Sequence, residues 1–295
     1  MKIAIIGGTG LLGSNLLKLY SEYDIKSFSR EQSYVVDYFK NFTVDFRYLE
    51  NELIKYFIAW KPDVIINTVA VVNLQKCEDD YNYALEINCN ISASVAKIAK
   101  KYNSYFIHIS TDHYYNDNIK FHTENSNVLL MNNYAKTKFE AEKEVLNTYE
   151  KSLIVRTNII GYRRRTAKSF FEWLLDSIEN NSETKLYTNF FTSPISVNEL
   201  GYILIRCYKK RLTGRYNIAS SEVISKYDFG VKTAQRFGYN LEKIKPILLE
   251  NNNTLKRALT LGLDISKIEE ALNIKMPTID ETISNLYKEY KEVYE

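Results

Sequence analysis

The chain has 295 residues, a net charge of +3 and 45% hydrophobic residues, which suits one large globular domain or one and a half. So small a charge, with the run Arg163-Arg164-Arg165 too short for a nucleic-acid stripe, excludes polymeric nucleic acid as a partner. No stretch approaches the roughly 20 apolar residues of a membrane span, and Cys77, Cys89 and Cys207 lack metal-ligand spacing, which predicts a cytoplasmic protein with reduced thiols, no metal and no membrane association.

In chain order, Ile3–Ile6 reads as a strand followed by an amphipathic stretch to Tyr20. Ile25–Phe28 reads as a second strand, and Val64–Asn67 as a third after Lys61-Pro62-Asp63. Ile87, Ile91, Val95 and Ile98 recur every three to four residues, which places them on one face of a helix. The apolar Tyr105–Ile109, a helix from Tyr134 towards Thr148 and a strand over Leu153–Arg156 complete the series. This alternation predicts right-handed βαβ units, hence an α/β fold with a Rossmann-type, doubly wound parallel sheet. Beyond Gly161 the units shorten to helices near Phe170–Ile178, Glu199–Tyr208, Lys226–Phe237 and Thr278–Tyr290, with a turn at Thr192-Ser193-Pro194. The expected division is an NAD(P)-binding domain over 1–160, with a segment near 190–212 a candidate to return to it, and a smaller C-terminal α/β substrate-binding lobe over 161–295.

Gly7-Gly8-Thr9-Gly10-Leu11-Leu12-Gly13 lies between the first strand and the first helix, where a GxxGxxG turn can set a pyrophosphate on a helix N-terminus. Unpaired N–H groups and the helix dipole favour a negative ligand there, and Gly13 lets helix and strand pack closely. Gly7, Thr9, Gly10, Leu11, Leu12 and Gly13 are therefore assigned to a dinucleotide. An NAD site usually offers a carboxylate at the end of the second strand, and an NADP site an arginine for the 2′-phosphate. Here that strand ends Ser27-Phe28-Ser29-Arg30, so Arg30 favours NADP(H), with NAD(H) as the alternative and a solvated turn arginine as the plainer reading.

Ligands of an open α/β sheet gather beyond the carboxyl ends of its strands, which makes Ser110, Thr111 and Asp112 candidates. Tyr134 and Lys138 stand four apart on a helix and share a face. An ammonium near a phenol favours its ionised form, so the pair can pass a proton to or from a hydroxyl.

These motifs together resemble the extended short-chain dehydrogenase/reductases, and within them the dTDP-4-dehydrorhamnose reductase group. The resemblance extends through Val44-Asp45-Phe46, Lys61-Pro-Asp-Val-Ile-Ile-Asn67, Ser110-Thr-Asp112, Val155-Arg156-Thr157, Gly214-Arg-Tyr-Asn217 and Leu263-Asp264. It implies a reductase of a nucleotide-linked 4-keto-6-deoxysugar that feeds surface polysaccharide synthesis. Carried over by position, Thr111 would bond the sugar carbonyl, Tyr134 would protonate it, and Lys138 would bind the nicotinamide ribose and hold down the tyrosine's pKa. Asp45 and Phe46 would lie against the adenine, although an ordinary helix-start carboxylate would look the same as Asp45. Thr68, Val69, Ala70 and Ser110 would line the cofactor, and Asp112, Asn158 and Arg163 the substrate.

The departures bear on the sugar. Asn158-Ile159 follows Arg156-Thr157 where the group usually carries Trp after Arg-Thr-Ser, and Leu130 stands where it has proline. His113 follows Asp112 where the related dehydratases have Glu, which argues for carbonyl reduction over dehydration. A sugar-nucleotide epimerase and a non-catalytic dinucleotide-binding subunit are the competing readings. The nucleotide base and the oligomeric state stay open, a homodimer being the candidate assembly.

Overall fold

The computed structural model describes residues 1–31, 40–117, 119–164, 167–250 and 255–294. They form two compact units: the first takes Met1–Thr111, Asn132–Arg156 and Gly201–Tyr216, and the second Asp112–Met131, Thr157–Leu200 and the chain from Asn217 onward.

The first unit carries β1 (Lys2–Ile6), α1 (Leu11–Leu19), β2 (Asp24–Ser29), β3 (Lys40–Thr43), α2 (Leu49–Trp60), β4 (Val64–Asn67), α3 (Ile91–Tyr102), β5 (Tyr105–Ile109), α4 (Asn133–Thr148) and β6 (Leu153–Arg156). A last strand, β7 (Gly214–Asn217), joins the edge, giving the order β7-β6-β5-β4-β1-β2-β3. From β3 across to β6 the strands are parallel. Their inner members read as near-continuous apolar runs because helices cover both faces: Ile3–Ile6, Val64–Ile66 and Leu153–Val155 are shielded from solvent. Phe28, Leu53, Phe57, Val95 and Phe106 fill one cluster of this core.

The register brings the carboxyl ends of the strands level. Ile6 stands opposite Phe28 on β2 and Asn67 on β4, and Asn67 opposite His108 on β5. Gly7, Arg30, Thr68 and Ser110 thus leave the sheet at one edge.

Two elements differ from the sequence expectation. Lys40-Asn-Phe-Thr43 forms an edge strand that makes Val64–Asn67 the fourth in the sheet. Its anchor is Phe42, stacked on Phe28 with ring centroids 5.5 Å apart, a contact between strands that no local pattern announces. Ile87 falls outside the regular helix, in a wide π-type turn over Glu86–Asn90 preceded by short helices at Leu74–Asp79 and Tyr81–Leu85. Within that turn the Asn88 amide accepts from Val71 N at 2.7 Å and donates to Thr137 Oγ1 at 3.0 Å, linking the loop after β4 to α4.

The second unit is built from short pieces. Thr184–Tyr187 pairs in parallel with Ile244–Ile247, Ile159–Ile160 with Ile195–Ser196, and Phe191–Thr192 lies between Ile224–Ser225 and Thr260–Leu261. Its helix Phe170–Glu179 opens with a capping box between Ser169 and Glu172, and Phe171, Leu174, Phe229 and Leu286 form its core. Cys77, Cys89 and Cys207 are buried free thiols, and no helix among the described residues is long and apolar enough to cross a membrane.

Two glycines of the first turn have opposite surroundings. A Cβ on Gly13 would stand 2.3 Å from Gly7 O and 2.7 Å from Gly8 Cα, whereas one on Gly10 would meet only Gly7 O, at 3.4 Å. Gly13→Ala is therefore expected to cost about 1–3 kcal/mol of stability through overpacking. Gly10→Ala should cost about 1 kcal/mol or less, the scale of an N-cap preference. Urea unfolding of the two variants measures this, and equal losses would contradict it.

Candidate active site

The glycine turn is drawn tight around its own carbonyls. Gly10 N donates to Gly7 O at 3.0 Å, and Thr68 Oγ1 donates to Ile6 O and Gly7 O at 3.0 and 3.1 Å, tying the end of β4 to the turn. Gly10 caps α1 with no side chain, and the first turn of that helix holds no acidic residue. The N–H groups of Leu11, Leu12 and Gly13 have no intrahelical acceptor in such a turn. With the open side of Gly10 above them, they fit the close approach of a diphosphate.

Beyond the ends of β2 and β3 lies a cleft of about 530 Å³ lined by Arg30, Asp45, Phe46, Arg47, Tyr83 and Ile91, among others. Arg30 Nη1 donates to the Tyr83 hydroxyl at 3.2 Å, and that cation lowers the pKa of the phenol. Asp45 accepts from Arg47 N at 3.0 Å as the N-cap of a short 3₁₀ turn, and Arg47 Nη2 meets its other oxygen at 2.6 Å. The carboxylate is thus both the helix-start cap and the partner of an arginine that sequence reasoning passed over. Phe46 packs on the core at the cleft wall. Val69 N donates to Asn67 Oδ1 at 3.1 Å, and Val69 and Ala70 are half-buried after β4.

At the end of β5, Ser110 N donates to Val155 O at 2.7 Å, and its hydroxyl donates to Glu142 Oε1 at 2.7 Å. Thr111, the last residue of this stretch, is buried. The helix α4 begins at the Asn132 cap, whose side chain accepts from Ala135 N at 2.9 Å, and carries Tyr134, Lys138 and Glu142 one turn apart. Lys138 Nζ donates to Ile109 O at 2.7 Å. Burial pulls the Lys138 ammonium down to about 8, against the opposing influence of Glu142 and Cys89. Glu142 is enclosed: Arg156 donates to it from Nε at 2.9 Å and Nη2 at 2.8 Å, and Arg215 Nε at 3.0 Å. Burial pushes its pKa up, but hydrogen bonds and charge from Arg156, with Ser110 and Arg215, more than offset this and hold it below 4.5.

In the second unit Asp112 is buried and accepts from Asn158 Nδ2 at 2.7 Å, with His113 Nε2 at 3.9 Å. Burial raises the Asp112 pKa despite His113, Asn158 and Lys226. Lys226, which sequence reasoning did not single out, holds its ammonium 4.4 Å from the Phe170 ring and 5.9 Å from that of Phe190, and burial lowers it to about 8. The basic run is divided: Arg164 Nη2 pairs with Glu289 at 2.8 Å, Arg163 Nε is buried without a hydrogen-bond partner, and Arg165 lies outside the described residues. The Arg164 guanidinium is thereby committed to a carboxylate of the second unit.

A sheet in the order 3-2-1-4-5-6, a glycine turn after its first strand, and a Tyr–Lys pair beside its fifth define a dinucleotide-binding oxidoreductase fold of the short-chain dehydrogenase/reductase kind. More narrowly, the chain belongs to the family described as the RmlD substrate binding domain, whose model matches residues 1–292. It is 25% identical over 303 residues to a dTDP-4-dehydrorhamnose reductase of Aggregatibacter actinomycetemcomitans, covering 97% of this chain and 98% of the relative. It is also 24% identical over 274 residues to the methionine adenosyltransferase 2 subunit beta of Xenopus tropicalis, covering 90% and 81%. Among solved structures, a dTDP-4-dehydrorhamnose reductase from Bacillus anthracis in complex with NADP superposes with a TM-score of 0.84 at 20% identity, covering 98% of this chain and 99% of that one.

The enclosure of Glu142 gives a pH signature. Its pKa is depressed, so its contribution is fully present above 4.5 and is lost as the pH falls through its lower folded value. Glu142→Gln is expected to lower stability at pH 7 by about 3–5 kcal/mol, because two guanidinium groups lose their buried partner. It should also flatten the decline of stability below pH 4.5. Denaturant midpoints from pH 3 to 7 test this, and parallel curves for the two proteins would refute it.

Proposed function

We propose that this protein is an NADP(H)-dependent reductase of a nucleotide-linked 4-keto-6-deoxysugar, similar to dTDP-4-dehydrorhamnose reductase, acting in surface polysaccharide synthesis. The observation that carries the reading is the joint presence, in one compact unit, of an open-faced glycine turn, the β5 end at Thr111 and the Tyr134–Lys138 face of α4. The bound dinucleotide supplies the hydride. Gly7, Thr9, Gly10 and the first turn of α1 take its diphosphate, Thr68, Val69, Ala70 and Ser110 lie along it, and Asp45 and Phe46 take its adenine.

Tyr134 gives its phenolic proton to the sugar oxygen as that oxygen gains charge, and Thr111 donates a hydrogen bond to the same atom. Lys138 stays cationic below about 8, holds the nicotinamide ribose and keeps the phenol acidic enough to act. Asp112, Asn158 and Arg163 bind the substrate, and Lys226 adds a second cation for its diphosphate. Arg30 beside Tyr83 reads the 2′-phosphate, which favours NADP(H) over NAD(H).

Tyr134→Phe is expected to keep dinucleotide affinity while kcat falls by roughly 10²–10⁴ on the productive member of a panel of dTDP-, UDP-, GDP- and CDP-linked 4-keto sugars. A variant with wild-type turnover would overturn the role of the phenol. Dinucleotide binding without turnover on any sugar would favour instead the competing reading of a non-catalytic dinucleotide-binding subunit; one relative is itself named as a subunit, methionine adenosyltransferase 2 subunit beta.

Arg30→Ala is expected to weaken NADPH roughly tenfold or more and to leave NADH unchanged, the scale of one charge-assisted contact. Calorimetric titration of both cofactors decides this, and equal losses would remove Arg30 from 2′-phosphate recognition.

A further inference from the structure

His108 interrupts the apolar strand Tyr105-Phe-Ile-His-Ile109 and is shut off from solvent. Each ring nitrogen faces another nitrogen: Nδ1 lies 3.5 Å from Asn67 Nδ2, and Nε2 lies 3.4 Å from Lys138 Nζ. The amide of Asn67 is fixed by other bonds. Its Oδ1 accepts from Val69 N at 3.1 Å, and its Nδ2 donates to Ser92 Oγ at 3.0 Å, whose own proton goes to Asn88 O at 2.9 Å. Turning the amide over would set Nδ2 against the Val69 N–H.

A neutral imidazole has one N–H and one lone pair, so it can accept from only one of these two neighbours. A protonated ring would face donors on both sides, and burial together with the Lys138 charge holds the His108 pKa well below 6.5. The charged or titratable groups around Lys138 are His108 on β5, Tyr134 and Glu142 on its own helix and Cys89 from the π-type turn. Glu142 is already engaged by Arg156, Arg215 and Ser110, and the Cys89 thiol is pushed up to about 11. Among the described residues, that leaves Ile109 O and His108 as the acceptors of Lys138's hydrogen bonds.

We propose that His108 is a positioning residue whose tautomer follows the charge of Lys138. While Lys138 is an ammonium, His108 Nε2 is bare and accepts from it, with the ring proton on Nδ1. When Lys138 is an uncharged amine, the ring proton sits on Nε2 and points to the amine lone pair, and Nδ1 accepts from Asn67. The imidazole holds one proton in both arrangements, exchanged with solvent. The proton Lys138 loses goes to solvent or to the reaction. This deepens the reductase reading and rests on it only for the role of Lys138 in turnover.

The test uses the ligand-free protein labelled with ¹⁵N-histidine. The chain has three histidines, so His108→Gln assigns the His108 signals in a long-range ¹H–¹⁵N spectrum. The Nδ1–H tautomer is expected at pH 6.5, giving way to Nε2–H as the pH rises past about 8. In Lys138→Met the Nε2–H tautomer should hold throughout. A wild-type ring already in the Nε2–H form at pH 6.5, or one whose tautomer ignores that titration, overturns the proposal. In turnover, His108→Leu should move the alkaline limb of kcat/KM to lower pH, and His108→Gln, whose amide oxygen can accept from Lys138, should restore it. An unchanged limb in His108→Leu refutes the positioning role. Failure of wild type to turn over any sugar nucleotide counts against the reductase reading alone, and the histidine spectra then decide.

Discussion

The buried carboxylate of Glu142 is the constraint around which the first unit is arranged. It sits two turns beyond Tyr134 and one beyond Lys138 on α4, and receives protons from Ser110 after β5, Arg156 at the end of β6 and Arg215 on β7. Three strands and one helix therefore meet at two oxygen atoms. A helix held only by apolar contacts can slide or roll at small cost, but one held by a bidentate guanidinium has its rotation and height defined. The same carboxylate that orients α4 also anchors Ser110, the residue before Thr111, so the hydroxyl-bearing strand end and the Tyr–Lys face share one support.

The electrostatic consequence is a separation of tasks along the helix. Glu142 is saturated with cations and supplies Lys138 with only part of what burial takes away, so the ammonium rests at about 8. An amine so placed is charged at neutral pH yet yields its proton more readily than an exposed lysine. In the second unit a comparable balance holds between Asp112, raised by burial, and Lys226, lowered by it beneath two phenylalanine rings. Each unit thus keeps a desolvated lysine near a buried carboxylate.

Much of the sheet was legible in the sequence because its strands are buried on both faces and read as unbroken apolar runs, as in Ile3–Ile6 and Val64–Ile66. Lys40-Asn-Phe-Thr43 was not, since an edge strand needs only one anchor and Phe42 finds its partner across the sheet. The π-type turn at Glu86–Asn90 was hidden because Asn88 takes its hydrogen bonds from loop and helix residues distant in sequence. For the candidate site, spacing alone places Tyr134 and Lys138 on one face and glycines after a strand. What spacing cannot convey is the company each residue keeps. Arg47 on Asp45, Glu142 between two arginines and His108 between two donors are products of tertiary folding, and the only local hint was a polar residue inside an apolar strand.

Because residues 201–216 belong to the first unit, that unit cannot be completed in the order in which the ribosome makes it. Until Gly214–Asn217 emerges, β6 is an open sheet edge with unpaired backbone groups, and Glu142 lacks Arg215. A nascent chain must therefore carry an unfinished first unit through synthesis of Thr157–Leu200, a stretch that belongs to the other body. A chain that ended within this stretch would leave the β6 edge without its β7 neighbour, the kind of open edge that pairs with other chains.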